Sequence, residues 1–276
     1  MTTIAFQGQL GAYSHLACKQ VKPEAEPIAF DSFLQAIQAV ECQQAKWAMI
    51  PLENSTAGRV EEIYRQIPKT HLQIVAEHFQ PVNHCLMALP EATPKWVSSH
   101  PQALAQCHDR ILERQLEPIA QFDTAGAAKL LAESGDRQGA AIASELAAEL
   151  YGLEILQRHF EDVSGNTTRF LLLEKEPEPQ PLDASKRYIT SILFKVRNIP
   201  SALYKALGGF ATNGLNLIKI ESYMDGKTLN SSQFHIDIAD HIASPAMARA
   251  IDELKFFAEE YRWRGTYEAH PFRQNP

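Results

Sequence analysis

The chain is poor in cysteine and tryptophan, and it has neither a long apolar run nor a concentrated block of positive charge. Its four cysteines, Cys18, Cys42, Cys85 and Cys107, lie far apart and form no CxxC pair. That spacing argues against a disulfide framework and against a structural zinc site. His84-Cys85 and Cys107-His108 are adjacent pairs that read as ordinary core or surface residues. No stretch approaches the roughly 18 apolar residues that span a bilayer, so no membrane partner is expected. A formal net charge of −7 without a basic run argues against nucleic acid as a partner. Neither a basic n-region nor an apolar h-region follows Met1, so no secretory signal and a reduced, cytoplasmic location are expected. The sequence also lacks a GxGxxG fingerprint, a GxSxG elbow, a P-loop lysine and an evident metal-ligand set.

What is present is an ordinary globular mixture, 45% hydrophobic and 21% charged, in 276 residues. That length suffices for two or three lobes. Up to about residue 173, short apolar runs alternate with amphipathic stretches. Strands are predicted at 3–6, 47–52, 72–76, 84–89, 119–122, 140–143 and 169–173, and helices at 33–42, 103–115, 125–133 and 145–151. This alternation predicts an α/β region with at least one largely parallel sheet, whose ligands gather beyond the carboxyl ends of the strands. Residues 174–181 then carry three prolines among charges, which reads as an extended linker. Behind it, strands at 188–196, 215–223, 229–238 and 264–268 and helices at 200–212 and 245–260 give the order βαββαβ, with a tight turn at Asp225-Gly226. That is a ferredoxin-like unit, a fold that names no function by itself.

Four polar clusters lie where predicted strands end. Phe6-Gln7-Gly8-Gln9-Leu10-Gly11-Ala12-Tyr13-Ser14 lies between the first strand and a helix, and its glycines and free N–H groups suit either a tight turn or a carboxylate cradle. Pro51-Leu52-Glu53-Asn54-Ser55-Thr56-Ala57-Gly58-Arg59-Val60 places three hydrogen-bonding side chains in a row where one helix cap would need only one. In Ser98-Ser99-His100-Pro101-Gln102, Pro101 opens a helix on which Gln102 and Gln106 share a face. In Asn166-Thr167-Thr168-Arg169-Phe170, Thr168 supplies a hydroxyl and Arg169 a planar fork that fits a carboxylate or pairs structurally with an acid. Hydroxyls, amides and one arginine suit binding of a small polyanion.

These clusters, in this order, resemble the prephenate dehydratase family over nearly the whole chain, and the unit from about Ile189 resembles an ACT domain. The resemblance implies a two-lobed, type II periplasmic-binding-protein-like catalytic region at residues 1–175. A linker at 176–187 and an ACT regulatory domain at 188–270 follow. It implies decarboxylative dehydration of prephenate to phenylpyruvate in phenylalanine biosynthesis, with no cofactor, in a homodimer or homotetramer. Thr168, Asn54, Ser99 and Gln106 fall on the family's catalytic positions; Arg169, Ser55, Thr56, Gln102 and Phe170 are expected to bind substrate. L-phenylalanine is the expected effector, held by Ala202, Leu203, Asn213, Gly214, Leu215, Asn216, Glu221 and Ser222. Family members that sense phenylalanine commonly carry Gly-Ala-Leu-Val and Glu-Ser-Arg-Pro, and Ser201, Tyr204, Tyr223 and Met224 depart from those motifs. The rival readings are an arogenate dehydratase, whose substrate has an amino group in place of the keto oxygen, and a non-catalytic sensor of aromatic metabolites.

Overall fold

The computed structural model describes residues 2–224 and 231–274. They fall into two compact units, one drawn from Met1–Thr70 and His78–Leu171, the other from His71–Glu77 and Leu172–Pro276.

The chain begins with β1 (Thr3–Gln7), α1 (Tyr13–Val21), β2 (Glu26–Phe30), α2 (Phe33–Glu41), β3 (Trp47–Asn54), the two-residue β4 (Gly58–Arg59) and α3 (Glu61–Gln66). Next come β5 (Gln73–Pro81), β6 (Cys85–Ala88), β7 (Trp96–Ser99), α4 (Pro101–Gln106), α5 (His108–Glu113) and β8 (Glu117–Ala120). The series then runs through α6 (Thr124–Ser134), β9 (Gly139–Ala143), α7 (Glu145–Tyr151), β10 (Glu154–Gln157) and β11 (Thr167–Glu174). One sheet has the order β2-β1-β3-β11-β5 with β4 attached to β3; the other has the order β10-β6-β9-β7-β8. β1 pairs in parallel with both β2 and β3, so Gln7 and the end of β3 emerge on the same edge. The second sheet is mixed: β7 is parallel to β8 and β9, whereas β6 is antiparallel to β9 and β10.

Packing around the second sheet rests on small residues. Ala140, Ala141 and Ala143 of β9 are fully buried, as are Ala125, Ala127 and Ala128 of α6 and Ala147 of α7. Two α-carbons can approach closely only where neither side chain intervenes, and Gly11 shows the requirement. At φ +89° it lies so near α7 that an added Cβ would sit 2.9 Å from the Ala147 Cα. The Ser144 hydroxyl donates to the Gly11 carbonyl and Tyr151 Oη donates to Leu10 O at 2.7 Å, which fixes the loop after β1.

The second unit contains β12 (Tyr188–Val196), α8 (Ala202–Thr212), β13 (Leu217–Met224), β14 (Ser231–Ile238), α9 (Pro245–Phe257) and β15 (Ala258–Glu268), then a short 3-10 turn at Pro271–Gln274. Its antiparallel sheet has the order β13-β14-β12-β15. Ile192, Phe194 and Ile236 from the strands meet Phe210, Met247 and Leu254 from the helices in one core. The segment 71–77 belongs here because Gly265, at φ +139°, lies against the Ile74 backbone, where any Cβ would overlap the carbonyl. Arg273 also grips the fully buried Glu77 carboxylate through Nε at 2.6 Å and Nη2 at 2.9 Å.

Several boundaries differ from the sequence-based expectation. β2, β4, β7 and β10 were not expected as strands, whereas α1 is the helix expected after the first polar cluster. The helix expected at 103–115 is broken at the buried Cys107, whose φ of −118° and ψ of 19° separate α4 from α5. The helix expected to reach Glu260 ends at Phe257, because Tyr261 and Glu260 pair with Phe194 and Lys195 of β12. Strand pairing there overrides the helical preference of the Ala-Glu-Glu sequence. The expected turn at Asp225-Gly226 lies outside the described residues.

Candidate active site

Within the first unit, the loop after β1, the end of β3, the N-termini of α4 and α6 and the start of β11 surround a cavity of about 440 Å³. Asn54, His84, Gln102, Gln106, Asn166 and Thr168 are among the residues of its polar wall, and Phe170 contributes an aromatic surface. Arg59 is the one guanidinium and Asp123 the one carboxylate among the described lining residues.

The hydrogen bonds of this wall have a direction, and it begins at the backbone. Asn54 Oδ1 accepts from the N–H groups of Thr56 (3.0 Å) and Ala57 (2.8 Å), so its amide cannot turn over. Its Nδ2 must therefore donate, and it does so to Asn166 Oδ1 at 2.6 Å and Thr168 Oγ1 at 2.9 Å. Asn166 Nδ2 then donates to Gln106 Oε1 at 3.2 Å. Since that oxygen is an acceptor, His84 Nε2, 2.9 Å away, carries a proton. In the neutral ring the His84 Nδ1 atom is an acceptor 3.0 Å from Tyr13 Oη, whose single proton also points to the Asn83 carbonyl at 2.8 Å. Burial lowers the His84 pKa from its ordinary value, outweighing the Gln106 hydrogen bond and the charge of Glu161, and this favours the neutral ring. Burial also drives the Tyr13 phenol well above its usual range, so it stays protonated.

Two groups at the cavity emerge from this ordering with protons to give. Thr168 Oγ1 accepts from Asn54, and its own proton meets no acceptor among the described residues. Gln106 Nε2 is buried and has no partner there either. An unsatisfied buried donor costs about 1–3 kcal/mol, which an oxygen-rich occupant would recover. Cysteine chemistry is disfavoured nearby, because burial pushes the Cys85 thiol to about 11 and the Cys107 thiol to about 12. Among the described residues, no group of three or more His, Cys, Asp or Glu is arranged to hold a metal ion.

The structure brings Asn54, Gln102, Gln106, Thr168 and Phe170 to one cavity and places the other expected residues elsewhere. Ser99 is completely buried, and its hydroxyl donates to the Ile142 carbonyl at 2.6 Å. It ties β7 to β9 and does not line the cavity. Arg169 is also buried, and its Nη1 donates to Glu53 at 3.0 Å, the structural pairing that its neighbourhood left open. Ser55 exchanges backbone and side-chain hydrogen bonds with Thr167, which holds the loop after β3 against β11. Thr56 takes part through its backbone N–H. Tyr13 and Arg59 lie inside two of the expected polar clusters without being singled out there, and sequence reasoning missed His84 and Asp123. Tyr13 and His84 are 71 positions apart, so only the fold pairs them.

In the second unit the expected effector residues gather around α8 and β13. Asn213 caps α8, donating to Gly209 O at 2.8 Å and accepting from Arg249 Nε at 2.7 Å. Gly214 has φ +69°, and Leu215 packs on the core with Leu203. Ala202 is buried, and the Asn216 carbonyl accepts from Ala239 N at 2.9 Å. Glu221 pairs with Lys219 at 3.3 Å, and Ser222 is exposed on β13.

An α/β enzyme-like cavity walled by amides and hydroxyls is the class that fold and site define. The chain belongs to the prephenate dehydratase family, whose model matches residues 4–178. It is 46% identical over 276 residues to the bifunctional N-acyl-homoserine lactone acylase/prephenate dehydratase of Komagataeibacter europaeus, covering 99% of this chain and 98% of that protein. It is 38% identical to arogenate dehydratase/prephenate dehydratase 1 of Arabidopsis thaliana, covering 96% and 71%. Among solved structures, the prephenate dehydratase of Arthrobacter aurescens in complex with L-Phe superposes with a TM-score of 0.87 at 29% identity, covering 97% and 90%.

Proposed function

We propose that this chain converts prephenate to phenylpyruvate by concerted loss of carbon dioxide and the ring hydroxyl. The observation that carries the reading is the Asn54–Thr168 hydrogen bond, which turns the Thr168 hydroxyl into a donor at the cavity. As the carbon–carboxylate bond breaks, its electron pair enters the ring and the hydroxyl departs with the electron pair of its own bond. The ring becomes aromatic, so the step needs neither a strong base nor a redox partner. The remaining task is to stabilise charge on the leaving oxygen and to hold the substrate still. Thr168 donates to the departing oxygen. Its pKa is far from that of an efficient general acid, so a hydrogen bond that strengthens along the reaction accounts for its role better than full proton transfer. Gln106 Nε2 supplies a second donor, and Arg59 takes a substrate carboxylate. Arg169 and Glu53 hold the end of β3 against β11 and thereby position Asn54 and Thr168.

The same reading makes the first unit a two-lobed, periplasmic-binding-protein-like catalytic region and the second an ACT domain that senses L-phenylalanine. It places the protein in the cytoplasm as a homodimer or homotetramer. An effector site is supported by the phenylalanine complex of the Arthrobacter relative. The test is direct: EDTA-treated protein should form phenylpyruvate from prephenate, and calorimetry should show L-phenylalanine binding to the full chain. Turnover that vanished on chelation and returned with a divalent ion would overturn the mechanism. A second activity, hydrolysis of N-acyl-homoserine lactones, is suggested by the dual name of the Komagataeibacter relative and is checked by adding such a lactone to the same protein.

A further inference from the structure

Prephenate and arogenate differ in one group, a keto oxygen against an ammonium on the three-carbon side chain. A site that tells them apart needs a charge at the side-chain end of the ligand. The ring hydroxyl and the side chain lie at opposite ends of the substrate ring. With the hydroxyl at Thr168, the side chain therefore points away from β11. Thr168 belongs to the six-stranded sheet, whereas Asp123 follows β8 of the five-stranded one. Gln121 N donates to Ser99 O at 2.8 Å, which holds the approach to Asp123 beside the turn that carries His100 and Gln102 into the cavity.

Asp123 has an ordinary task, since Oδ1 accepts from Gly126 N at 2.6 Å and caps α6. That task uses one oxygen and no charge. Serine does it at Ser32, Ser144 and Ser244 in this same chain. Oδ2 has no hydrogen-bond partner among the described residues, and Asp123 is the one carboxylate among the described lining residues. A carboxylate here repels a ligand whose side chain carries only negative charge and attracts one that also carries an ammonium.

We infer that Asp123 is a specificity-determining residue that pairs with the substrate ammonium, so that this site turns over arogenate as well as prephenate. The inference rests on the dehydratase reading of the same cavity. Its test compares kcat/KM for both substrates in the wild type, Asp123→Asn and Asp123→Ser. Both substitutions keep an acceptor for Gly126 N–H and remove the charge. The ratio of arogenate to prephenate kcat/KM should fall by about ten- to a hundredfold in both variants. A wild type that turns over prephenate alone, or a ratio that neither substitution changes, would overturn it. Turnover of neither substrate by the wild type would defeat the dehydratase reading itself, a separate outcome.

Discussion

Asn54 and Thr168, 114 positions apart, are joined by a 2.9 Å hydrogen bond in which the asparagine amide is the donor. Backbone N–H groups of Thr56 and Ala57 fix that amide, so the direction of the bond is set by the main chain. Asn54→Asp would keep an acceptor for both backbone groups and lose the donor to Thr168 and Asn166. The hydroxyl of Thr168 would then turn toward the new carboxylate. Turnover should fall by about tenfold or more, with KM changed far less. Steady-state kinetics on the variant decide the point, and an unchanged kcat would show that the direction of this bond does not matter.

Arg169 and Glu53 separate a structural role from a binding role. The arginine side chain is 3% exposed and the glutamate 35%, so the pair is buried on one side and partly solvated on the other. Arg169→Met should destabilise the fold by about 2–3 kcal/mol, below the range for a fully buried pair because Glu53 keeps some water. Urea denaturation reads this loss. A variant of unchanged stability with a strongly raised KM would instead make Arg169 a substrate ligand.

Ser201 is a departure from the family's glycine with a physical consequence. It precedes α8 at φ +58°, in the left-handed region that glycine enters without a steric penalty. Ser201→Gly should stabilise the protein by about 0.5–1 kcal/mol, the relieved strain exceeding the extra disorder of glycine in the unfolded chain. A lower thermal midpoint in the variant would contradict this.

The acid response follows from burial of His84. Its folded pKa is lowered below 6.5, so below that pH the unfolded chain binds a proton that the folded chain refuses. Stability should decline as pH falls from 6.5 toward the lowered folded value, and this contribution should be absent above 6.5. His84→Gln should flatten part of the decline in denaturant midpoints between pH 7.5 and 5.5. His15 and His270, also lowered chiefly by burial, account for a remaining slope.

The site was partly legible in the sequence because some of its groups sit in short runs after strands. Glu53 through Gly58 and Asn166 through Phe170 are such runs, and the cavity draws Asn54, Asn166, Thr168 and Phe170 from them. Which side chain in a run faces the cavity was not legible. Thr168 lines it while its neighbour Arg169 is buried against Glu53, an alternation that depends on how β11 pairs. Ser99 occupies a strand end in a polar motif, yet the neighbouring strand supplies its partner, the Ile142 carbonyl. His84 and Asp123 left no signal because each looks like an ordinary core or cap residue until the elements meet, and nothing within the first polar cluster sets Tyr13 apart from its neighbours. In the fold, the βαββαβ order was readable from alternation and turn residues, while the extension of β15 back to Ala258 was not, since only β12 makes it a strand.

The central claim is that the Thr168 hydroxyl, oriented by Asn54, assists departure of the ring hydroxyl. The most direct measurement is kcat for prephenate in the wild type, Thr168→Ser and Thr168→Val, alongside the affinity of each for substrate. The valine variant should lose about 10²- to 10⁴-fold in kcat while folding and binding normally, and the serine variant should keep much of the rate because it keeps the donor. A valine variant with near wild-type kcat would contradict the account.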